Sequence, residues 1–191
     1  MTNYLDGGDA LLEAFKRLDI DYIITSPGSE WTPLWEALAR QKRDHIDGPG
    51  YIDCWHETLA VDMAIGYTLI TGKLQAVLLH AGVGILQGSR GIHGAQNLEI
   101  PMLVLSSESL AYGEDPNFDL GFHWFMHHGI VGGPQRLVEP IVKWAGHASS
   151  PETLYETLIR AAEMALRAPQ GPTYLNLPVE TLLHEWKPPA L

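Results

Sequence analysis

The residue with the clearest chemical potential is Glu57, a carboxylic acid that stands between a short strand-like stretch and a long apolar segment. The residues that follow it, 58–70, are mostly apolar or small. Burying an ionised carboxylate is expensive unless another group pairs with it. Glu57 is therefore either an ordinary first-turn acid favoured by the helix dipole, or a shielded carboxylate that has a partner.

Histidines are the second group that could do chemistry, because a histidine takes up and releases protons near neutral pH. The chain has nine of them; His80 ends an apolar run, and His127 and His128 stand side by side in an aromatic stretch. Some of the nine fill space only, so each proton-relay role competes with a packing role. We expect no metal site at His123, His127 and His128, since the surroundings are aromatic and no cysteine lies nearby.

Two glycine turns follow apolar runs of the sequence. Pro27, Gly28 and Ser29 follow the first run, and Gly82, Val83 and Gly84 come after His80. A glycine turn can cradle a phosphate at a helix N-terminus. The sequence lacks both the P-loop lysine and the G-x-G-x-x-G pattern, which argues against that role. Ser29 itself has the residue type of a turn or a helix cap.

Apolar runs that alternate with helix-like segments indicate how these residues are positioned. The alternation predicts an α/β fold, a doubly wound parallel sheet of about six strands with helices on both faces. We predict strands at residues 22–25, 50–53, 76–80, 101–106, 141–144 and 173–177. Ligands bind at the carboxyl ends of such strands. This rule selects four places: residues 27–29, residues 53–57, residues 80–84 and the chain from residue 106 onward.

Composition limits the partners that the chain can have. Its 191 residues, 46% hydrophobic, suffice for one α/β domain with a substantial core. A formal net charge of −11 disfavours nucleic acid and anionic membrane as partners. The single cysteine, Cys54, fits a reducing compartment, and the chain shows neither a signal peptide nor a run that could span a bilayer. We therefore expect a cytoplasmic protein.

Taken in order, these segments resemble the pyrimidine-binding (PYR) domain of thiamine diphosphate-dependent enzymes, in particular the group of benzoylformate decarboxylase, pyruvate decarboxylase and acetolactate synthase. The resemblance covers essentially the whole chain, and its motifs are weak singly but specific in their order. It rests on Ser26-Pro27-Gly28-Ser29, on His56-Glu57 with Gly66-Tyr67 and Thr71-Gly72-Lys73, on the turn at residues 82–84, on Ile100-Pro101, and on residues 171–178.

The resemblance implies a catalytic role for Glu57 and for three histidines. A glutamate of this family hydrogen-bonds the aminopyrimidine ring of the cofactor and so activates it, which is the role implied for Glu57. Benzoylformate decarboxylases carry a histidine at the position of His80, and His127 and His128 are similar to the paired histidines of pyruvate-type decarboxylases. These histidines would move protons. Ser29 is similar to a serine that faces the substrate.

The same resemblance implies a set of residues that contact thiamine diphosphate. They lie in the turns that approach the pyrimidine ring and in the first turn of the helix after residue 82. Together with Glu57, the residues concerned are Pro27, Gly28, Gly82, Val83, Gly84 and Gln87.

The resemblance also implies a missing half of the active site. Enzymes of this group hold the diphosphate and Mg²⁺ through a second domain, with a Gly-Asp-Gly signature followed by asparagines, and this sequence contains no such pair. We expect residues 1–182 to form the PYR domain and residues 183–191 a tail. A partner subunit with the pyrophosphate-magnesium domain would complete a heteromer of α2β2 type or larger.

The expected function is that of one subunit of a split thiamine diphosphate-dependent lyase, a decarboxylase or carboligase of small 2-oxo acids. Two alternatives stay open: a subunit like acetolactate synthase or 2-hydroxyacyl-CoA lyase, and a scaffolding relative without activity. The presence of Glu57 and of the glycine turn at residues 82–84 argues against the scaffold, which would need neither.

Overall fold

A computed structural model describes residues 5–108 and 132–188 of the chain. Six parallel strands form one sheet in the order β2-β1-β3-β4-β6-β5, which confirms the predicted fold class. The strands are β1 (Tyr22–Ser26), β2 (Gly50–Asp53), β3 (Gln75–Leu79), β4 (Met102–Ser106), β5 (Trp144–His147) and β6 (Pro172–Asn176). The helices are α1 (Gly7–Arg17), α2 (Thr32–Arg43), α3 (Glu57–Thr71), α4 (Val83–Asn97), α5 (Gly133–Val138), α6 (Leu154–Leu166) and α7 (Val179–Leu183).

The sheet carries a hydrophobic core on each face, which explains why its strands read as continuous apolar runs. In β3, Ala76 and Leu78 belong to the core that α1, α2 and α6 cover. The residues between and after them, Val77 and Leu79, belong to the core that α3 and α4 cover. Successive side chains of a strand point to opposite faces, so a central strand needs apolar residues at every position.

Strand β5 lies three residues later than predicted. The β-branched residues Ile141 and Val142 suggested a strand over 141–144, but Glu139–Ile141 form a 3₁₀ turn with Pro140 near its start. A proline fixes its own backbone torsion and favours such a turn over a strand interior. Strand β5 pairs with β6 alone and forms one edge of the sheet.

Helix α3 is apolar on two sides, and only one of them is buried. Ala60, Val61 and Ala64 pack in the core. Leu59, Met63 and Ile70 are exposed, and Ile70 retains 87% of its accessible surface. We call these three residues the outer face of α3. An apolar helix is thus buried on one side and exposed on the other.

The end of the described chain packs back on the domain. Trp186 is buried, its ring stacks on Tyr155 of α6, and its backbone N–H donates to the carbonyl of Leu5. Glu185 forms an isolated bridge with Asp6. The division into a domain and a tail after residue 182 stays a prediction. In the described part of the chain, every helix is too short or too polar to cross a membrane.

Candidate functional site

The sheet order brings the ends of β1, β3 and β4 together at one edge. The chain runs from β1 to β2 on one side and from β3 to β4 on the other, so the strand order reverses between β1 and β3. In such sheets this reversal is where a ligand-binding crevice opens. The turns that follow β1 and β3, together with residues 107–108 after β4, surround this crevice. The first turn of α3 joins them, since the Thr58 hydroxyl donates to the carbonyl of Gln87 in α4 at 3.0 Å.

The turn after β1 allows two side chains to meet. A methyl group added to Gly28 would overlap both Glu30 and His80, so only glycine leaves room for their contact. Glu30 lies in the 3₁₀ turn Ser29–Trp31 and is 5% exposed. Its Oε1 lies 2.8 Å from His80 Nδ1 and accepts the backbone N–H of Ala81 at 2.7 Å. Ser29 is exposed at the start of this turn.

Glu57 is the first residue of α3 and is 9% exposed. The backbone before it is extended, and His56 caps the helix by accepting the N–H of Thr58 on Nδ1. The Glu57 carboxylate makes no hydrogen bond or ion pair with any other residue of the described ranges. A shielded acid without a hydrogen-bond partner among the described residues is suited to hold a ligand.

The turn after β3 is built from glycines for two different reasons. Gly82 has φ +66°, a backbone conformation that side chains rarely adopt, and space is open where its side chain would be. Gly84 is packed, since an added methyl would lie 3.0 Å from Leu79 Cβ. Val83 and Gln87 are exposed beside the turn. The open space at Gly82 leaves room for close approach of another molecule.

His80 directly follows β3, and its side chain is 44% exposed. The hydrogen bond with Glu30 raises the pKa of His80, and the charges of Glu57 and Glu108 act in the same direction, while burial opposes them. A raised pKa increases the fraction of imidazolium near neutral pH. Three carboxylic acids from three separate segments therefore act on one histidine.

Glu108 forms the inner wall of the site and is fully buried. One carboxyl oxygen accepts the N–H of Gly82 at 3.0 Å, and the other accepts the Ser106 hydroxyl at 2.5 Å. Tyr174 OH lies 2.6 Å from Ser106 Oγ and 3.4 Å from the same carboxyl oxygen. Burial is the main cause that raises the pKa of Glu108, and burial also raises the pKa of Tyr174.

The Glu108 backbone extends this network to the edge strand β5. Its N–H donates to Asn176 Oδ1 at 2.9 Å, and Asn176 Nδ2 lies 3.0 Å from His147 Nδ1. An amide that donates to Nδ1 requires a lone pair there, hence a neutral ring. Burial lowers the pKa of His147, which fits the same state. The polar network therefore holds the glycine turn at residues 82–84 through the hydrogen bond from Gly82 to Glu108.

The structure brings most of the predicted site residues to one edge of the sheet. Glu57, His80, Ser29 and the turn at residues 82–84 lie around the crevice, whereas His127 and His128 lie outside the described residues. Within residues 5–108 and 132–188, no three histidine, cysteine or acidic side chains are arranged to hold a metal ion. The roles predicted for these residues stay predictions.

Sequence reasoning missed Glu30 and Glu108. Each is an acid within a few residues of the end of a buried strand, at an edge that the fold rule had already selected. That position was the available signal. Their contacts could not be predicted, because Glu30 meets His80 from 50 positions away in the chain.

Three comparisons bear on the identity of the fold. The sequence model of the family described as "Thiamine pyrophosphate enzyme, N-terminal TPP binding domain" matches residues 5–130. The chain is 25% identical over 185 residues to the acetolactate synthase large subunit of Haemophilus influenzae, covering 97% of this chain and 30% of that protein. It is also 25% identical over 181 residues to benzoylformate decarboxylase of Pseudomonas aeruginosa, covering 95% and 30%.

Among solved structures, the thiamine diphosphate-dependent 4-hydroxybenzoylformate decarboxylase of Rhodococcus jostii RHA1 superposes with a TM-score of 0.77 at 22% identity. The match covers 96% of this chain and 32% of that one. The chain thus has the fold of one region of that enzyme and spans about 30% of the length of the curated relatives named above.

Proposed function

Because the chain belongs to the family of N-terminal, thiamine pyrophosphate-binding domains of thiamine pyrophosphate enzymes, we propose that it is one subunit of a split decarboxylase or carboligase of small 2-oxo acids. Thiamine pyrophosphate and thiamine diphosphate are the same cofactor. The subunit supplies the side of the site that binds the pyrimidine ring. A second polypeptide supplies the pyrophosphate-magnesium domain and holds Mg²⁺.

The observation that carries this proposal is the burial of Glu57 without a hydrogen-bond partner among the described residues. Glu57 is 9% exposed, lies at the edge of the sheet where ligands bind, and makes no hydrogen bond with another described residue. A structural carboxylate at this depth would be paired, because an unpaired buried charge is costly. A ring nitrogen of the cofactor is a suitable partner, since it offers a hydrogen bond and shares a proton with the acid.

The backbone at this edge fits a flat heterocycle. The open space at Gly82 and its positive φ leave the turn without a protruding side chain. Val83, Gly84 and Gln87 continue from this turn into α4, and Pro27 and Gly28 approach from β1 on the other side of the crevice. We assign these residues to cofactor contacts.

When bound, thiamine diphosphate supplies the nucleophilic carbon and the electron sink that 2-oxo acid chemistry needs. The side chains of this subunit hydrogen-bond the cofactor, transfer protons and orient the substrate. Glu57 holds a hydrogen bond in a site from which most water is excluded, where such a bond is strengthened. His80 gives and takes a proton at Nε2, and Ser29 orients the substrate. His127 and His128, outside the described residues, are assigned to proton transfer as well.

The outer face of α3 supports the presence of a partner. Leu59, Met63 and Ile70 form an exposed apolar stripe that begins two residues after Glu57. Exposed apolar patches on a folded domain mark interaction surfaces. A partner seated here would reach the mouth of the crevice and complete the site.

Reconstitution tests the proposed function. The purified chain should not turn over benzoylformate or pyruvate with thiamine diphosphate and Mg²⁺, whereas adding a polypeptide with the Gly-Asp-Gly magnesium signature should restore turnover. In that mixture Glu57→Gln should lower kcat by about 10²–10⁴-fold, the range of one acid-base group. Glu13→Gln, an exposed acid of α1, is the matched control and should have no effect. Efficient turnover by the chain alone would contradict the split.

A charge placed on the outer face of α3 tests the partner surface. Ile70→Asp should weaken association at least about tenfold, because each 1.4 kcal/mol of lost burial is a factor of ten in affinity. The fold should persist, since Ile70 is exposed in the chain alone. Ile46→Asp replaces another exposed isoleucine away from α3 and serves as the control. Equal affinities of the two variants, measured by analytical ultracentrifugation, would rule out this face.

A further inference from the structure

Glu30 has no role in the function proposed above, although its surroundings are unusual. It is 5% exposed, and a single carboxyl oxygen receives both His80 Nδ1 at 2.8 Å and the Ala81 N–H at 2.7 Å. Burying a carboxylate costs several kcal/mol unless charge and hydrogen bonds compensate it. This buried carboxylate lies at the edge of the sheet that faces the crevice and not in the middle of a core.

The local backbone is shaped for this contact. A side chain at Gly28 would overlap both Glu30 and His80. Strands β1 and β3 are neighbours in the sheet, with Ser26 paired to Leu79, so the residues that follow them come together. The pairing therefore rests on strand register, a glycine and a backbone amide, three features independent of any titration.

We propose that Glu30 is the positioning residue of His80, which holds the ring through Nδ1 and leaves Nε2 to exchange a proton with a bound carbonyl compound. The proton exchange at Nε2 rests on the proposed function, whereas the pairing of Glu30 with His80 does not. No residue of the described ranges hydrogen-bonds Nε2. When the imidazolium gives its Nε2 proton to the bound molecule, the ring becomes neutral and keeps Nδ1–H donated to Glu30. An acidic partner fixes the tautomer of a catalytic histidine in this way.

Three acids face His80 from the described elements: Glu30 after β1, Glu57 from α3 and Glu108 after β4. Only Glu30 hydrogen-bonds the ring. Replacing Glu30 by glutamine preserves an oxygen that can accept from both His80 and Ala81, and it removes one charge while the other two acids remain. The substitution thus separates the charge of Glu30 from its shape.

Nuclear magnetic resonance of the ¹⁵N-histidine-labelled full chain tests the pairing without any activity. His80 signals are assigned by their loss in His80→Asn. In the wild type the neutral ring should carry its proton on Nδ1, and the titration midpoint should lie above that of an ordinary histidine. Glu30→Gln should move the midpoint down, and Glu13→Gln should leave it in place. A neutral ring protonated on Nε2, or an unchanged midpoint in Glu30→Gln, would overturn the proposal.

The reconstituted enzyme provides the second readout. Glu30→Gln should lower kcat roughly tenfold or more, with a small change in KM and a displaced pH profile, whereas Glu30→Asp should restore part of the loss. A pH profile identical to the wild type would overturn the role of Glu30 and leave the proposed function standing. If no partner ever produces turnover, the proposed function fails, while the resonance data decide the pairing on their own. Should Glu30→Gln not fold, the tautomer in the wild type decides.

Discussion

Two regions of the molecule place a basic side chain among acids, and they differ in almost everything else. At one of them, Lys73 lies 3.1 Å from Asp19 and 2.9 Å from Asp21, which also accepts the Tyr67 hydroxyl. At the other, His80 is hydrogen-bonded to Glu30 and influenced by two further acids. The Lys73 cluster precedes β3, and the His80 cluster follows it.

Burial separates the roles of the two clusters. Asp19 has 85% of its side chain exposed, so water competes for the Lys73 charge. The hydrogen bond with Lys73 is the main cause that lowers the pKa of Asp21. The acids around His80, by contrast, are buried. Buried titratable groups that influence one another at the carboxyl edge of a parallel sheet are typical of functional sites. The Lys73 cluster lies at the surface and has no such property.

The largest effect on stability should come from the inner wall of the His80 cluster. Glu108→Ala removes the acceptor of the Gly82 N–H and of the Ser106 hydroxyl from the inner wall of the site. It should cost about 3 kcal/mol of unfolding free energy, measured by chemical denaturation. Glu108→Gln keeps an acceptor for Gly82 and resembles the neutral acid that burial favours, so its loss should be much smaller. Equal losses in both variants would show that the network does not hold the turn.

The next effect concerns His80 itself. His80→Ala in the reconstituted enzyme should lower kcat by about 10²-fold and change cofactor affinity little, since the ring moves a proton and does not hold the cofactor. The wild type should lose activity as the pH rises through the raised pKa of His80, and the variant should lack this dependence. A loss confined to cofactor affinity would refute proton transfer by His80.

The same histidine predicts a pH-dependent term in stability. Its pKa is higher in the folded chain than the ordinary value, so its stabilising contribution is fully present below about pH 6.5. The contribution is lost as the pH rises through the folded pKa. The difference in unfolding free energy between wild type and His80→Ala should therefore be larger at about pH 5.5 than at about pH 9. A difference independent of pH would mean that folding leaves the pKa of His80 unchanged.

The smallest effect should come from the lysine cluster. Lys73→Ala should change the unfolding free energy only slightly, because exposed ion pairs stabilise little, and added salt should reduce the difference further. Activity of the reconstituted enzyme should be unchanged. A loss comparable to that of Glu108→Ala would erase the contrast between the two regions.

The sequence predicted the fold well, because strands buried on both faces need apolar residues at every position and are therefore visible as runs. It also predicted that Glu57, His80 and the turn at residues 82–84 lie at one edge of the sheet, whereas the catalytic role of Glu57 stays a prediction. It misplaced β5, where Pro140 turns a β-branched stretch into a 3₁₀ turn. The roles of Glu30 and Glu108 depend on strand order and register, which bring together residues that are distant in the chain.

The central claim is that Glu57 is kept out of water to activate the cofactor. The most direct measurement is the rate at which the C2 proton of bound thiamine diphosphate exchanges with deuterium in the reconstituted enzyme, followed by quenched-flow NMR. Glu57→Gln should slow this exchange by about 10²–10⁴-fold at saturating cofactor. Equal exchange rates in the wild type and in Glu57→Gln would contradict the claim.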